Sequence, residues 1–102
     1  VRCACIDIGS NTTRLLVAES REGRLQEVLA QRAFTRLAST GRGAISDRKV
    51  SEVAELVASQ VRMARECGVE TIRVVATAAI RQAPNRDAFC EAVEAAAGLS
   101  VT

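Results

Sequence analysis

Asp7-Ile8-Gly9-Ser10-Asn11-Thr12-Thr13-Arg14 gathers a carboxylate, a glycine, four short polar side chains and a guanidinium within eight residues. An acidic residue that leads directly into Gly-Ser-Asn places several backbone N–H groups around one point, and such a concave array binds phosphate oxygens. Gly9, Ser10, Asn11 and Thr12 are therefore candidate phosphate ligands. Asp7 closes an apolar run, where a carboxylate can hold Mg²⁺ directly or through water and draw phosphate oxygens into the same space. Arg14 lies close enough in sequence to give a charge-assisted contact to a second phosphate. The same residues are also ordinary hairpin-turn chemistry, and on this segment alone the two readings carry equal weight.

A second constellation is Ala76-Thr77-Ala78-Ala79-Ile80-Arg81-Gln82-Ala83-Pro84-Asn85. A short β-branched run ends at Thr77, and strand ends are where open sheets present ligands. If the chain turns helically there, Arg81 falls one turn beyond Thr77, and both can face a phosphate held by the first turn. The bland alternative is that Thr77 caps a short helix and Arg81 is solvated.

The chain has no histidine, which removes Ser-His-Asp and Cys-His mechanisms together with the commonest zinc ligand. Catalysis would have to run on carboxylates, backbone amides, arginine and a hard cation. Cys3, Cys5, Cys67 and Cys90 show no C-x-x-C spacing and are expected to be buried, reduced thiols. Thirteen of the fourteen cations are Arg, a bias that GC-rich coding explains better than phosphate recognition does, so each arginine has to be argued by position.

The elements that must position these residues read clearly. Arg2 to Ile8 is a buried strand that enters a turn, Thr13 to Glu19 is a second strand, and Leu25 to Phe34 is a third, joined by a turn at Ser20–Gly23. Arg36 to Ala44 has no period and two glycines, as a loop does. Ser46 caps a helix in which Val50, Val53, Ala54, Val57, Val61 and Ala64 form one apolar face, and Gly68 stops it. Thr71 to Ala76 returns as a parallel strand. A short helical turn follows, Pro84 interrupts it, and Asn85 is the expected cap of a last helix over 86–97 that ends at Gly98. Leu99 and Val101 begin a further strand.

The fold class is thus α/β, with a mixed sheet in the order β-β-β-α-β-α-β and helices packed on it, the order of a ribonuclease-H-like half domain. With 102 residues, 48% hydrophobic and 25% charged, one domain is expected, with few aromatic side chains to fill its core. A formal charge of +2 without like-charge runs argues against nucleic-acid binding. No signal peptide or apolar run of membrane-spanning length is read, so a cytoplasmic protein with no membrane partner is expected.

I-D-I-G-S-N-T-T-R-L-L-V-A-E at residues 6–19, taken with V-V-A-T-A-A-I-R-Q-A-P-N at residues 74–85, resembles the exopolyphosphatase/guanosine pentaphosphate phosphohydrolase (Ppx/GppA) family over essentially the whole chain. The resemblance implies an actin-like ATPase fold and hydrolysis of terminal phosphoanhydride bonds, with inorganic polyphosphate or guanosine pentaphosphate as substrate and Mg²⁺ or another divalent cation as cofactor. It maps phosphate binding onto Gly9, Ser10 and Asn11, metal holding onto Asp7, and a place beside the substrate path onto Arg81; the position of Arg14 varies in type among members. Family members run to roughly three hundred residues or more, in two actin-like domains around a cleft. The family's general base resembles a Glu in a G-E-E-E-A segment, and a D-x-G-G-G-S phosphate loop follows; neither string occurs here.

Residues 1–102 are therefore expected to form a single truncated N-terminal domain of a two-domain phosphatase, with no catalytic residue of its own and the base beyond Thr102. Two other readings stay open: an actin-like kinase or ATPase, in which the Asp7 turn meets ATP, and a non-catalytic binding or assembly module. Exposed strand edges and an uncovered helix face would favour a homodimer.

Overall fold

A computed structural model of the chain describes residues 1–37 and 43–102. Four strands, β1 (Arg2–Ile8), β2 (Thr12–Arg21), β3 (Arg24–Phe34) and β4 (Thr71–Ala76), form one sheet in the order β3-β2-β1-β4. The first three are an antiparallel meander, and β4 pairs in parallel with β1. Helix α1 (Asp47–Glu66) makes the crossover between them, and α2 (Ala78–Arg81) and α3 (Arg86–Ala97) follow β4. Val101 then bridges Val74 in parallel, and the Thr102 amide donates to the Val74 carbonyl at 2.8 Å. This is the α/β mixed sheet of the actin-like, ribonuclease-H-like half domain that the sequence implied. Of the expected loop from Arg36 to Ala44, residues 38–42 lie outside the described residues.

Strand alternation decides what the sheet buries. Ala4, Ile6 and Ile8 of β1, Leu15 and Val17 of β2 and Val74 and Ala76 of β4 share one face. There they meet Val53, Val57, Val61 and Ala64 of α1 and Phe89, Val93 and Ala97 of α3 in one core. Both helices cover this face. Among the described residues the exposed large apolar side chains are Val1, Leu25, Val28 and Phe34, none of them on a helix.

The odd positions of β1 point to the other side of the sheet. Burial of the cysteines is accordingly corrected: Cys5 is exposed and Cys3, Cys67 and Cys90 are only half-buried, all four as free thiols. Partial burial, followed in effect by the Asp7 carboxylate, pushes the Cys5 thiol above its ordinary value.

The α1 cap forms as its sequence dictates: the Ser46 hydroxyl accepts from the Lys49 amide at 3.2 Å. The Asn85 cap does not. Its side chain makes no cap bond, because the Asn85 amide instead reaches across to Ile45, accepting from the Ile45 N–H at 2.9 Å and donating to the Ile45 carbonyl at 2.8 Å. This two-point clamp fastens the entry to α1 onto the α2–α3 junction. At the far end of the sheet Arg2 plays a similar part, donating to the Cys67 carbonyl at the end of α1 and to Glu19 of β2.

The β2–β3 hairpin closes on Glu22 and Gly23, both with positive φ (54° and 77°), the two-residue turn whose twist matches the strands it joins. One extra residue enters β3 opposite Val17/Ala18: Ala18 faces Glu27, but Val17 faces Leu29. Beyond this bulge every β3 side chain is on the opposite face from the one the turn alone would assign.

Candidate phosphate site

The turn between β1 and β2 is held by its carbonyl groups. The Gly9 carbonyl accepts from the Thr35 hydroxyl at 3.2 Å, and the Thr12 carbonyl accepts from the Gly9 amide at 2.9 Å. The Ser10 carbonyl accepts from the Leu37 amide, and the Asn11 carbonyl from the amides of Thr35 and Arg36. Thr35 is buried, and its own carbonyl accepts from Lys49 Nζ at 3.0 Å, which links the turn to the first turn of α1.

With its carbonyls occupied, the turn leaves its donors available. The amide N–H groups of Ser10 and Asn11 make no hydrogen bond to any described residue. Backbone donors are obligatory hydrogen-bonding groups, so a turn that ties its acceptors to protein and leaves adjacent N–H groups unpaired is suited to an anion.

Gly9 is required by close approach rather than by a left-handed backbone. A Cβ there would lie 2.8 Å from the Thr12 carbonyl oxygen and 3.9 Å from Thr77 Cγ2. The second distance joins the two sequence constellations, which the parallel β1–β4 pairing brings together: the Thr77 amide donates to the Ile8 carbonyl at 3.0 Å. Thr77 stands at the N-cap position of α2, yet its hydroxyl makes no cap bond; the oxygen is buried and has no hydrogen-bond partner.

Asp7, Gly9, Ser10, Asn11, Thr12, Arg14 and Thr77 line one open cleft of about 500 Å³, joined there by Arg32, Ala78 and Ala79. Asp7 is exposed, and its carboxylate makes no hydrogen bond or ion pair with any described residue. Among the described residues no three His, Cys, Asp or Glu side chains gather as metal ligands. The donor set is that of a hard cation held loosely, with one carboxylate, neighbouring hydroxyl oxygens and room for water and phosphate oxygens; Mg²⁺ fits such a set.

The structure separates Arg81 from this cleft. Its Nε–H donates to the Ala76 carbonyl at 3.0 Å, and the residue lines a second cavity of about 360 Å³ with Arg86, Asp87 and Cys90. Arg81 and Thr77 are one helical turn apart in α2, as expected, but the guanidinium folds back onto the end of β4.

Two residues escaped the sequence reading. Arg32 enters the cleft because β3 pairs Arg14 with Arg32, a register that depends on the bulge. Thr35 ties the turn from a segment that carries no periodic signal, though a lone Thr between Phe34 and Arg36 in a strand exit is a common place for a side-chain hydrogen bond to backbone.

Comparison with known proteins places the chain. The sequence model of the Ppx/GppA phosphatase family matches residues 16–102. An uncharacterized protein of Streptomyces coelicolor is 32% identical over 101 residues, covering 97% of this chain and 30% of the relative. The crystal structure of the Aquifex aeolicus member of the Ppx/GppA family superposes with a TM-score of 0.91 at 33% identity, over 99% of this chain and 34% of that one. An exopolyphosphatase from Cytophaga hutchinsonii shares the fold, with a TM-score of 0.92 at 19% identity, again over 99% of this chain and 33% of that one. The chain spans about a third of the length of these relatives.

Proposed function

The chain belongs to the Ppx/GppA phosphatase family, and from that premise we propose that residues 1–102 are the N-terminal, phosphate-binding domain of a two-domain enzyme that hydrolyses terminal phosphoanhydride bonds. The substrate class is inorganic polyphosphate or guanosine pentaphosphate. The observation that carries this reading is the Thr77 hydroxyl, buried without a partner at the wall of a turn whose Ser10 and Asn11 amides are also free. An unsatisfied buried hydroxyl costs roughly 1–3 kcal/mol, a cost that a phosphate oxygen in the cleft removes.

In this reading the Ser10 and Asn11 amides and Thr77 hold the terminal phosphate, and Arg14 meets the next one along the chain. Asp7 is the metal holder and not the base, standing as the one carboxylate among the described residues that lines the cleft of the phosphate turn. When bound there, Mg²⁺ supplies positive charge where negative charge builds on the transferred phosphoryl group. The amides act in the same sense: they are fixed by the carbonyl bonds to Thr35, Arg36 and Leu37, so no reorganisation is needed as charge develops. Arg81 fixes the end of β4 through Ala76, outside the cleft. The general base lies outside these residues, so the isolated chain binds without turnover. A cytoplasmic location and the absence of nucleic-acid or membrane partners complete the proposal; among the described residues no helix is long and apolar enough to cross a membrane.

The test is a titration of the ¹⁵N-labelled chain with pyrophosphate and with ATP, each with and without Mg²⁺. The expected result is a saturable shift of the Ser10, Asn11, Thr12 and Thr77 amides with pyrophosphate, strengthened by Mg²⁺ and weakened by Asp7→Asn. Unmoved turn amides would overturn the site, and a clear preference for ATP would favour a kinase. Release of orthophosphate from polyphosphate by the pure chain would overturn the assignment of the base to another part of the protein.

A further inference from the structure

β3 stands at one edge of the sheet, paired only with β2 among the described residues, and none of its eleven residues is buried. Leu25, Val28 and Phe34, three of the four exposed large apolar side chains, belong to this strand. A long, apolar edge is a template for another strand, and natural sheets blunt it with charges and bulges. β3 carries both devices. Through their register partners Thr12, Arg14, Leu16, Ala18 and Ser20 on β2, the residues Phe34, Arg32, Ala30, Glu27 and Leu25 share the outer face, opposite that of the buried Leu15 and Val17. They share it because the extra residue, Val28, shifts the alternation midway along the strand. Glu27 and Arg32 make no ion pair or hydrogen bond with any described residue. Arg32 stands opposite Arg14, an unfavourable like-charge pair that a carboxylate on its other flank would offset.

We propose that the β3 edge is an interface for a second copy of this chain, paired antiparallel about a two-fold axis at Ala30. In that register Ala30 faces Ala30 of the second copy and Leu29 faces Gln31. With Val28 left out of the ladder in each copy, Glu27 then faces Arg32 and Leu25 faces Phe34. Every pair lies on one face of the joined sheet, as strand pairing requires. Without the bulge Glu27 and Arg32 would point to opposite sides, so the device that twists an edge away from other strands is what makes this one complementary to itself. The two-fold axis repeats each contact, giving two ion pairs and two apolar pairs across the outer face, with the small Ala30 side chains meeting between them. The two four-stranded sheets become one of eight strands. The contact is the same patch on both copies, so assembly closes at two.

Sedimentation equilibrium of the chain up to about 1 mM tests this, since one strand pair makes a small interface whose dissociation constant is expected on the order of 100 µM. The wild type should reach a dimer and go no further, and hydrogen exchange of the β3 amides, not those of β4, should slow as concentration rises. Glu27→Arg and Arg32→Glu each set like charges against each other at both pairs, and each should weaken self-association at least about tenfold. Mixed in equal amounts, the two variants restore both ion pairs, and a one-to-one heterodimer should form within about threefold of wild-type affinity. A wild type that stays monomeric, larger assemblies, or slowed exchange on β4 in place of β3 would overturn the interface. Mixed variants that associate no better than either variant alone would overturn it as well.

Discussion

The Thr35 hydroxyl donates to the Gly9 carbonyl oxygen at 3.2 Å, tying a buried residue of the β3 exit to the phosphate turn twenty-six residues earlier. The bond fixes the direction of the turn. If it acts as described, Thr35→Val should cost about 1–2 kcal/mol and speed hydrogen exchange of the Gly9–Thr12 amides, while Thr35→Ser restores both. Equal protection in wild type and Thr35→Val would show that the backbone bonds to Thr35, Arg36 and Leu37 suffice.

Gly9→Ala tests the turn from the opposite side. The new methyl would meet the Thr12 carbonyl oxygen at 2.8 Å, and that oxygen is held by the Gly9 amide, so the turn must open. A loss of about 1–3 kcal/mol, the usual range for overpacking, should accompany loss of pyrophosphate binding. Urea unfolding together with the amide titration measures both.

Among the described residues, Thr13 and Gln60 contain the other buried side-chain oxygen atoms without partners. Thr13 is fully buried beside the turn, and Gln60 reaches from α1 to donate to the Thr13 carbonyl and to Gln31 while its own oxygen has no partner. Thr13→Val keeps the shape and removes an unsatisfied hydroxyl. It should raise stability by about 1 kcal/mol, seen as a higher urea midpoint at unchanged slope; a lower midpoint would reveal a partner for that hydroxyl.

Asn85→Ala removes both bonds to Ile45 and leaves a backbone N–H and a carbonyl of a buried residue unpaired. The expected cost is about 1–3 kcal/mol, with faster exchange of the Ile45 amide. Asn85→Asp can accept from that amide but cannot donate, and should lie between alanine and wild type.

The pH dependence has a defined sign. The Arg2 guanidinium, through its hydrogen bond, holds the Glu19 carboxyl below its ordinary value. A carboxyl whose folded value is lowered contributes stability that is present above the unfolded value and is lost as pH falls through the folded one. The stability difference between wild type and Glu19→Gln should therefore shrink between about pH 5 and about pH 3. A difference that stays constant over this window would mean that the pair contributes nothing through charge.

Dependence on local or non-local information separates what was legible from what was not. The strand endings at Ile8 and Ala76, the α1 stripe with its Ser46 cap and its Gly68 stop, and the glycine turn after Asp7 are written within a few residues of where they act. Periodicity, capping and turn chemistry are properties of short segments, so the element order and the tight turn after Asp7 followed from the sequence by itself. The cysteine expectation went wrong because residue type alone does not say which face of a strand a helix will cover.

Only tertiary structure decided which distant side chains share the cleft. Read from the Glu22-Gly23 turn alone, the hairpin would set Arg14 against Gln31 and send Arg32 towards the core; the single extra residue opposite Val17/Ala18 shifts the pairing by one and brings Arg32 beside Arg14. Arg81 left the cleft for the Ala76 carbonyl, and Asn85 gave up its helix cap for Ile45, forty residues away. In each case a long or amide-bearing side chain found its partner across a packing contact. The sequence determined the glycine turn after Asp7, and packing decided which charges face it.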